Sequence, residues 1–152
     1  MSQSPRPSVP EIALALEQLA DRITRSEDDA LEPFVSHSLR AVVNALEFHI
    51  PGLDPAPDPE AADGMLRGAE AALNRGEERE ALSRALRGLA FSPHHPALWY
   101  MAGSACFEMG QVEDALRLLC HTLWVHPGHK TARADLEALT AFFEGDEGDR
   151  AA

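Results

Sequence analysis

Seven histidines and two cysteines are the side chains of this sequence that could do chemistry. His95 and His129 lie at equivalent positions of two similar segments, so neighbouring loops of a repeated fold could bring both imidazoles to one metal ion. Their spacing matches no zinc pattern, and Cys106 and Cys120 form no Cys-x-x-Cys motif. The alternatives are solvated loop histidines or adventitious metal binding. We therefore expect no physiological metal and no cofactor.

The pair that could act as nucleophile and base is Cys106 with His121. Cys106 follows the apolar spacing of its segment, which predicts a core thiol that stays protonated and inert. The sequence also lacks a glycine-rich phosphate loop, His-Glu-x-x-His and Gly-x-Ser-x-Gly. We therefore expect no enzymatic activity. Cys106 and Cys120 belong to no disulfide framework, which is typical of reduced core thiols in a cytoplasmic protein.

The elements that must position these residues repeat with a step of 34 residues. Segment 62–95 aligns with segment 96–129, and a step of this length is typical of a helix–turn–helix unit stacked on copies of itself. Glycine ends the first helix of each unit because it tolerates left-handed backbone, and proline ends the second. The coinciding pairs are Ala71/Ala105, Gly76/Gly110, Ala81/Ala115, Leu82/Leu116, Leu89/Leu123, Pro93/Pro127 and His95/His129.

Small residues occupy the positions where the two helices of each unit should cross. Ala69 should face Ala81 in the first unit, and Gly103 should face Ala115 in the second. Such residues let helix axes approach toward the short end of the roughly 8–10 Å packing range.

These positions resemble the tetratricopeptide repeat family over a little under half of the chain. The resemblance implies an all-α fold, a short α-solenoid of two helical hairpins with a C-terminal capping helix. It also implies that a partner peptide or helix binds in the concave groove lined by the first helix of each unit. The family pattern falls on Trp99, Ala102, Gly103, Cys106, Ala115, Leu119, Thr122 and Pro127, and more degenerately on Met65, Gly68, Ala69, Ala72, Ala81, Ala85, Gly88 and Pro93.

The groove face predicted by this resemblance has an apolar and an acidic part. Tyr100 and Phe107 are not needed by the core stripe, so we expect them to be the main contacts. Lys and Asn are missing from the positions where some relatives grip a carboxylate, which argues against that ligand. The alternative is that the N-terminal hairpin or the proline-rich linker covers these side chains. The predicted partner-binding residues are Asp63, Leu66, Glu70, Leu73, Tyr100, Ser104, Phe107 and Glu108.

The segments outside the repeat are assigned by their composition. Segment 1–9 should be a flexible tail, 10–50 an N-terminal helical hairpin, 51–60 a proline-rich linker that is not helical, 61–143 the repeats with a capping helix, and 144–152 a disordered acidic tail. The capping helix, 130–143, should turn four residues inward, namely Ala134, Leu136, Leu139 and Phe143. No apolar run is long enough to span a membrane.

The N-terminal hairpin does not carry the repeat pattern. Ser8 should cap a first helix ending near Arg25, and Asp28 or Asp29 a second helix over about 30–50. The hairpin could cap the open end of the repeat stack, or it could pair across a dimer. The seam that would pair is Ile12, Leu16, Leu19 and Ile23, and the stripe of the second helix is Leu31, Val35, Leu39, Val42, Leu46 and Ile50.

The formal charge of −12 limits the partners of this chain. Such a surface repels nucleic acid and anionic membranes, and it suits an apolar or basic polypeptide. We therefore expect a non-catalytic adaptor or chaperone that binds a protein or peptide. Its size, charge and architecture are similar to those of chaperones of type III secretion translocators. The alternative is a structural subunit that self-assembles, for example as a homodimer, or joins a larger complex through its N-terminal hairpin.

Overall fold

The computed structural model describes residues 7–26, 31–50 and 58–151, with side chains described as far as Glu144. Across these three ranges the chain forms seven α-helices and no strand, so the predicted all-α class is confirmed. Among the described helices, none combines the length and the apolar character needed to cross a bilayer. The helices are α1 (Val9–Arg25), α2 (Pro33–Leu46), α3 (Pro59–Asn74), α4 (Glu78–Phe91), α5 (Pro96–Glu108), α6 (Val112–Val125) and α7 (Lys130–Ala151).

Helix α1 begins and ends where the sequence predicts. The Ser8 hydroxyl accepts a hydrogen bond from the Glu11 amide at 3.3 Å, which satisfies one of the free donors at the helix start. Its apolar seam is buried inside the chain, against α2 and α4, with each of the four side chains at most 4% exposed. The hypothesis that this seam pairs across a dimer is therefore wrong, because the chain itself covers it.

Helix α2 is shorter than the predicted range of 30–50. It begins at Pro33, whose fixed φ suits the first position of a helix, and ends at Leu46. Ile50 was assigned to the buried stripe, but it lies beyond the end of the helix and is exposed. The predicted caps Asp28 and Asp29 lie outside the described residues.

Helix α3 corrects the predicted end of the proline-rich linker. Pro59 and Glu60 were assigned to the linker, yet they form the first turn of α3. Asp58 caps this turn by accepting a hydrogen bond from the Ala61 amide at 3.0 Å. A proline at the first helical position loses no hydrogen bond, because that amide has no partner within the helix.

The turns within the two repeat units have the predicted geometry. Gly76 and Gly110 have φ values of 74° and 78°, in the left-handed region where a Cβ is costly. The amide of the following residue closes each turn: Glu77 donates to the Ala72 carbonyl and Gln111 to the Cys106 carbonyl, both at 2.9 Å. These bonds satisfy carbonyls that a helix end leaves free.

The small residues that were predicted at the helix crossings are buried inside the two units. Helix α3 packs on α4, α5 on α6, and α4 on α5, so the two hairpins stack side by side. Ala69, Ala81 and Ala115 are fully buried, and Gly103 is buried as well. A Cβ on Gly103 would lie 3.4 Å from Leu119 of α6, which shows how closely the two helices approach.

Helix α7 packs on α6 with a face that differs from the predicted one. Ala132 is fully buried, whereas Ala134 and Phe143, which were expected to face inward, are exposed. Asp135 is turned toward the Tyr100 hydroxyl of α5, and this polar contact fixes the rotation of α7. The helical backbone continues to Ala151, into the segment that was predicted to be a disordered tail; no proline interrupts it.

The N-terminal hairpin lies along the second helices of both units. Helix α1 packs on α4, and α2 reaches α6. The Thr24 and Ser83 hydroxyls are 2.7 Å apart, and the Ser36 hydroxyl donates to Asp114 at 2.8 Å. The hairpin therefore does not cover the open end of the stack as a cap would. Polar groups of α4 and α6 face it and exchange hydrogen bonds with it; the Ser83 hydroxyl, for example, donates to the Ala20 carbonyl at 2.9 Å.

Candidate partner-binding face

The eight residues predicted to bind a partner lie on α3 and α5, the first helices of the two units. We call this surface the α3–α5 face. Its members divide into two classes by exposure. Asp63, Glu70, Phe107 and Glu108 are exposed, whereas Leu66, Leu73, Tyr100 and Ser104 are half-buried.

Phe107 is the large apolar side chain that the α3–α5 face presents to solvent. It is 46% exposed, although it is an aromatic residue in the middle of a folded unit. Leu66 and Leu73 of α3 pack partly against the core and supply further apolar area on the same side. Aromatic side chains with open faces are the usual anchors of protein interfaces.

The hydroxyl of Tyr100 is engaged within the chain. Its hydroxyl donates a hydrogen bond to Asp135 of α7 at 2.6 Å, and its ring packs against that of His129 with centroids 5.1 Å apart. Burial and the Asp135 carboxylate both raise the pKa of Tyr100, so the phenol stays protonated and can donate. In this structure the hydroxyl therefore holds α7 against α5, and the expectation that Tyr100 is a main partner contact stays a prediction.

Carboxylates make the α3–α5 face acidic. Glu70 and Glu108 are exposed on α3 and α5, and Asp63 lies 3.2 Å from Nε2 of His95. Because both glutamates are exposed, their carboxylates can pair with positively charged groups of a partner. The face thus combines an apolar centre with acidic neighbours.

The two repeat-equivalent histidines are helix caps, a role that the sequence pattern did not suggest. Nδ1 of His95 accepts the Leu98 amide at 3.4 Å, and Nδ1 of His129 accepts the Ala132 amide at 3.1 Å. Each imidazole therefore stands where Ser, Asp or Asn usually caps a helix. The sequence feature that could have indicated this role is their shared position: each histidine directly precedes the helix that follows a repeat unit. The described residues contain no group of three metal-ligating side chains.

Removing one of these caps should have a small, local cost. We expect His95→Ala to lower the free energy of unfolding by about 1 kcal/mol, because the Leu98 amide loses its acceptor. His95→Asn should restore most of this stability, since a side-chain amide oxygen can accept the same bond. Urea denaturation of the three proteins measures the difference. Equal losses for His95→Ala and for the exposed His126→Ala would contradict the capping role.

Cys106 lacks the properties of a nucleophile. Its side chain is fully buried, and desolvation raises the pKa of the thiol well above its usual range, with the Asp114 carboxylate adding to the effect. A thiol in this setting stays protonated and unreactive. Cys120, which we expected in the core, is exposed on α6, because it lies on the side of that helix opposite to the buried Leu118.

A cleft of about 910 Å³ lies between α1 and α2, and the sequence did not predict it. Within this cleft Arg22 pairs with Glu32 at 2.9 Å and lies 4.4 Å from the ring centroid of Phe34.

No family model matches this chain, and no curated protein matches it significantly. The function is therefore inferred from the residues of the α3–α5 face themselves.

Proposed function

We propose that this chain is a non-catalytic protein–protein interaction module that binds a segment of a partner protein on the α3–α5 face. The observation that supports this most is the position of the N-terminal hairpin on α4 and α6. That packing keeps the hairpin away from the face and leaves Phe107 46% exposed. Aromatic residues often carry much of the binding energy when a partner covers them.

The chemistry of the face defines the class of partner. Phe107 of α5, together with the partly buried Leu66 and Leu73 of α3, suits apolar side chains of the ligand. The exposed carboxylates Glu70 and Glu108 suit flanking Lys or Arg. An amphipathic helix or peptide with an apolar stripe and basic neighbours satisfies both requirements.

An adaptor and a chaperone would use the same face differently. An adaptor binds a folded partner through one short segment, whereas a chaperone holds an apolar segment until its client is delivered. The similarity in size, charge and helical architecture to chaperones of type III secretion translocators makes secreted, membrane-active clients one class to test. The repeat pattern quoted above supports a tetratricopeptide-like groove for either role.

The experiment is a comparison of two exposed phenylalanines. The partner is first identified by pull-down with mass spectrometry, and its binding segment is synthesised as a peptide. We expect Phe107→Ala to weaken peptide binding by at least about tenfold, since truncating an interface anchor costs more than about 1.4 kcal/mol. Phe34→Ala, 55% exposed on the N-terminal hairpin, is the matched control and should bind with the parent affinity.

The measurement is isothermal titration calorimetry of the peptide with each variant. Far-UV circular dichroism checks that both variants retain parent helicity, which we expect because about half of each side chain lies in solvent. Parent affinity for Phe107→Ala would refute the proposed face. Weakened binding for Phe34→Ala alone would instead place the partner on the hairpin.

A further inference from the structure

His121 is a buried imidazole in contact with both tryptophans of the chain. Its side chain on α6 is 3% exposed. The ring centroid lies 4.6 Å from that of Trp99 in an edge-on arrangement and 5.4 Å from that of Trp124 in a stacked one. Neither ring nitrogen has a hydrogen-bond partner among the described residues. An imidazole held in this way is stable only as the neutral form.

This cluster joins three parts of the second unit. Trp99 begins α5, and its indole nitrogen donates to the Pro93 carbonyl at 2.8 Å, in the loop between α4 and α5. His121 and Trp124 lie in the second half of α6. The contact between α5, α6 and the α4–α5 loop therefore passes through the His121 ring. A change in the charge of this ring acts on all three.

No described group around His121 is placed to stabilise the positive charge of its protonated ring. His94, in the α4–α5 loop, acts on it with the same sign of charge when protonated. The carboxylate of Asp114 lies two turns away on α6 and is engaged with Ser36 of α2 and Arg117. Asp135 of α7 is engaged with Tyr100. Burial, and then His94, lower the pKa of His121 to about 4.

We propose that protonation of His121 opens the contact between α5, α6 and the α4–α5 loop, so that the second unit contains an acid-sensitive switch. The charged ring gains water only when α6 separates from Trp99. The first unit and α1 pack through α3 and α4, without His121, and stay folded at the same pH.

The direction of the effect follows from the two protonation equilibria. The unfolded chain takes up the proton near the ordinary pKa of 6.5, while the native state takes it up only near 4. The contribution of neutral His121 is therefore complete above pH 6.5 and is lost as the pH falls toward 4. For one proton, the unfolding equilibrium constant should rise about thirtyfold between pH 8 and pH 5.

The variant that tests this is His121→Phe, which keeps an aromatic ring and removes the titrating nitrogens. Urea unfolding of the full chain is measured at about pH 8 and about pH 5. Between these pH values the unfolding equilibrium constant of the parent should rise about thirtyfold more than that of His121→Phe. His126→Phe, which replaces an exposed histidine, is the matched control and should behave as the parent. An equal pH dependence of all three proteins would overturn the proposal. Where His121→Phe does not fold, His121→Leu replaces it.

Two measurements on the parent protein locate the opening. Imidazole NMR of the ¹³C-labelled native protein should show one histidine that stays neutral well below pH 6; a full set titrating near 6.5 would overturn the proposal. Hydrogen exchange, corrected for the intrinsic rate at each pH, should lose protection in α5 and α6 before α1 and α4. Simultaneous loss in all helices would show global unfolding and contradict a local switch. Because both indoles touch His121, tryptophan fluorescence follows the same event.

Discussion

Replacing Trp99 by alanine should lower the free energy of unfolding by about 3–5 kcal/mol, the cost typical of removing a large buried aromatic residue. Trp99 is fully buried at the start of α5, where α4, α5 and α6 meet. The truncation leaves a cavity, removes the donor to the Pro93 carbonyl, and removes the aromatic contact with the His121 ring. A domain of this size has about 5–15 kcal/mol of stability, so the loss is a large fraction of it.

The second tryptophan provides the control for this prediction. Trp124 is the same residue type, touches the same His121 ring, and is 39% exposed. We expect Trp124→Ala to cost less than Trp99→Ala, about 1–2 kcal/mol, because more than a third of this side chain already lies in solvent. Urea denaturation followed by far-UV circular dichroism at neutral pH measures both variants. Losses of similar size for the two would show that the core is not centred on Trp99.

Alanine at Gly88 should destabilise the chain by about 1–3 kcal/mol, the usual cost of overpacking. A Cβ at this position of α4 would lie 2.8 and 2.9 Å from the two terminal methyl groups of Leu98 and 3.0 Å from Cβ of Met65. Leu98 is fully buried, so it has no free space to move into. This cost outweighs the roughly 1 kcal/mol that alanine gains over glycine in a helix.

The same substitution at Gly68 should have the opposite sign. A Cβ there would meet the guanidinium end of Arg84 at 2.8 Å, and that flexible side chain can move outward. We therefore expect Gly68→Ala to stabilise the chain by up to about 1 kcal/mol through helix propensity. The two midpoints of urea denaturation should move in opposite directions from the parent value. A stabilising Gly88→Ala would show that α3, α4 and α5 pack less tightly than described.

The helix boundaries of the repeat could be predicted because local chemistry decides them. Gly76 and Gly110 adopt positive φ, and the prolines after each unit mark the ends of α4 and α6. Glycine inside helices was harder to interpret from the sequence. The pattern alone assigns Gly68 and Gly88 the same cost, whereas the structure shows that Gly88 is required by Leu98 on a different helix.

The parts that could not be predicted depend on contacts between residues far apart in the sequence. The rotation of α7 follows from the Tyr100–Asp135 hydrogen bond, and the position of the hairpin follows from pairs such as Thr24–Ser83. Apolar periodicity indicates that a helix has a buried side, but not which neighbour buries it. The partner of the α3–α5 face stays a prediction for the same reason.

The packing of α1 on α4 has a consequence during synthesis on the ribosome. The Ile12–Ile23 stripe leaves the exit tunnel long before α4 has been translated, and α2 alone covers part of it. Until Glu78–Phe91 emerges, part of this apolar stripe is exposed on the nascent polypeptide, which favours binding by chaperones or premature aggregation. The packing of α1 is therefore completed only after α4 has been synthesised.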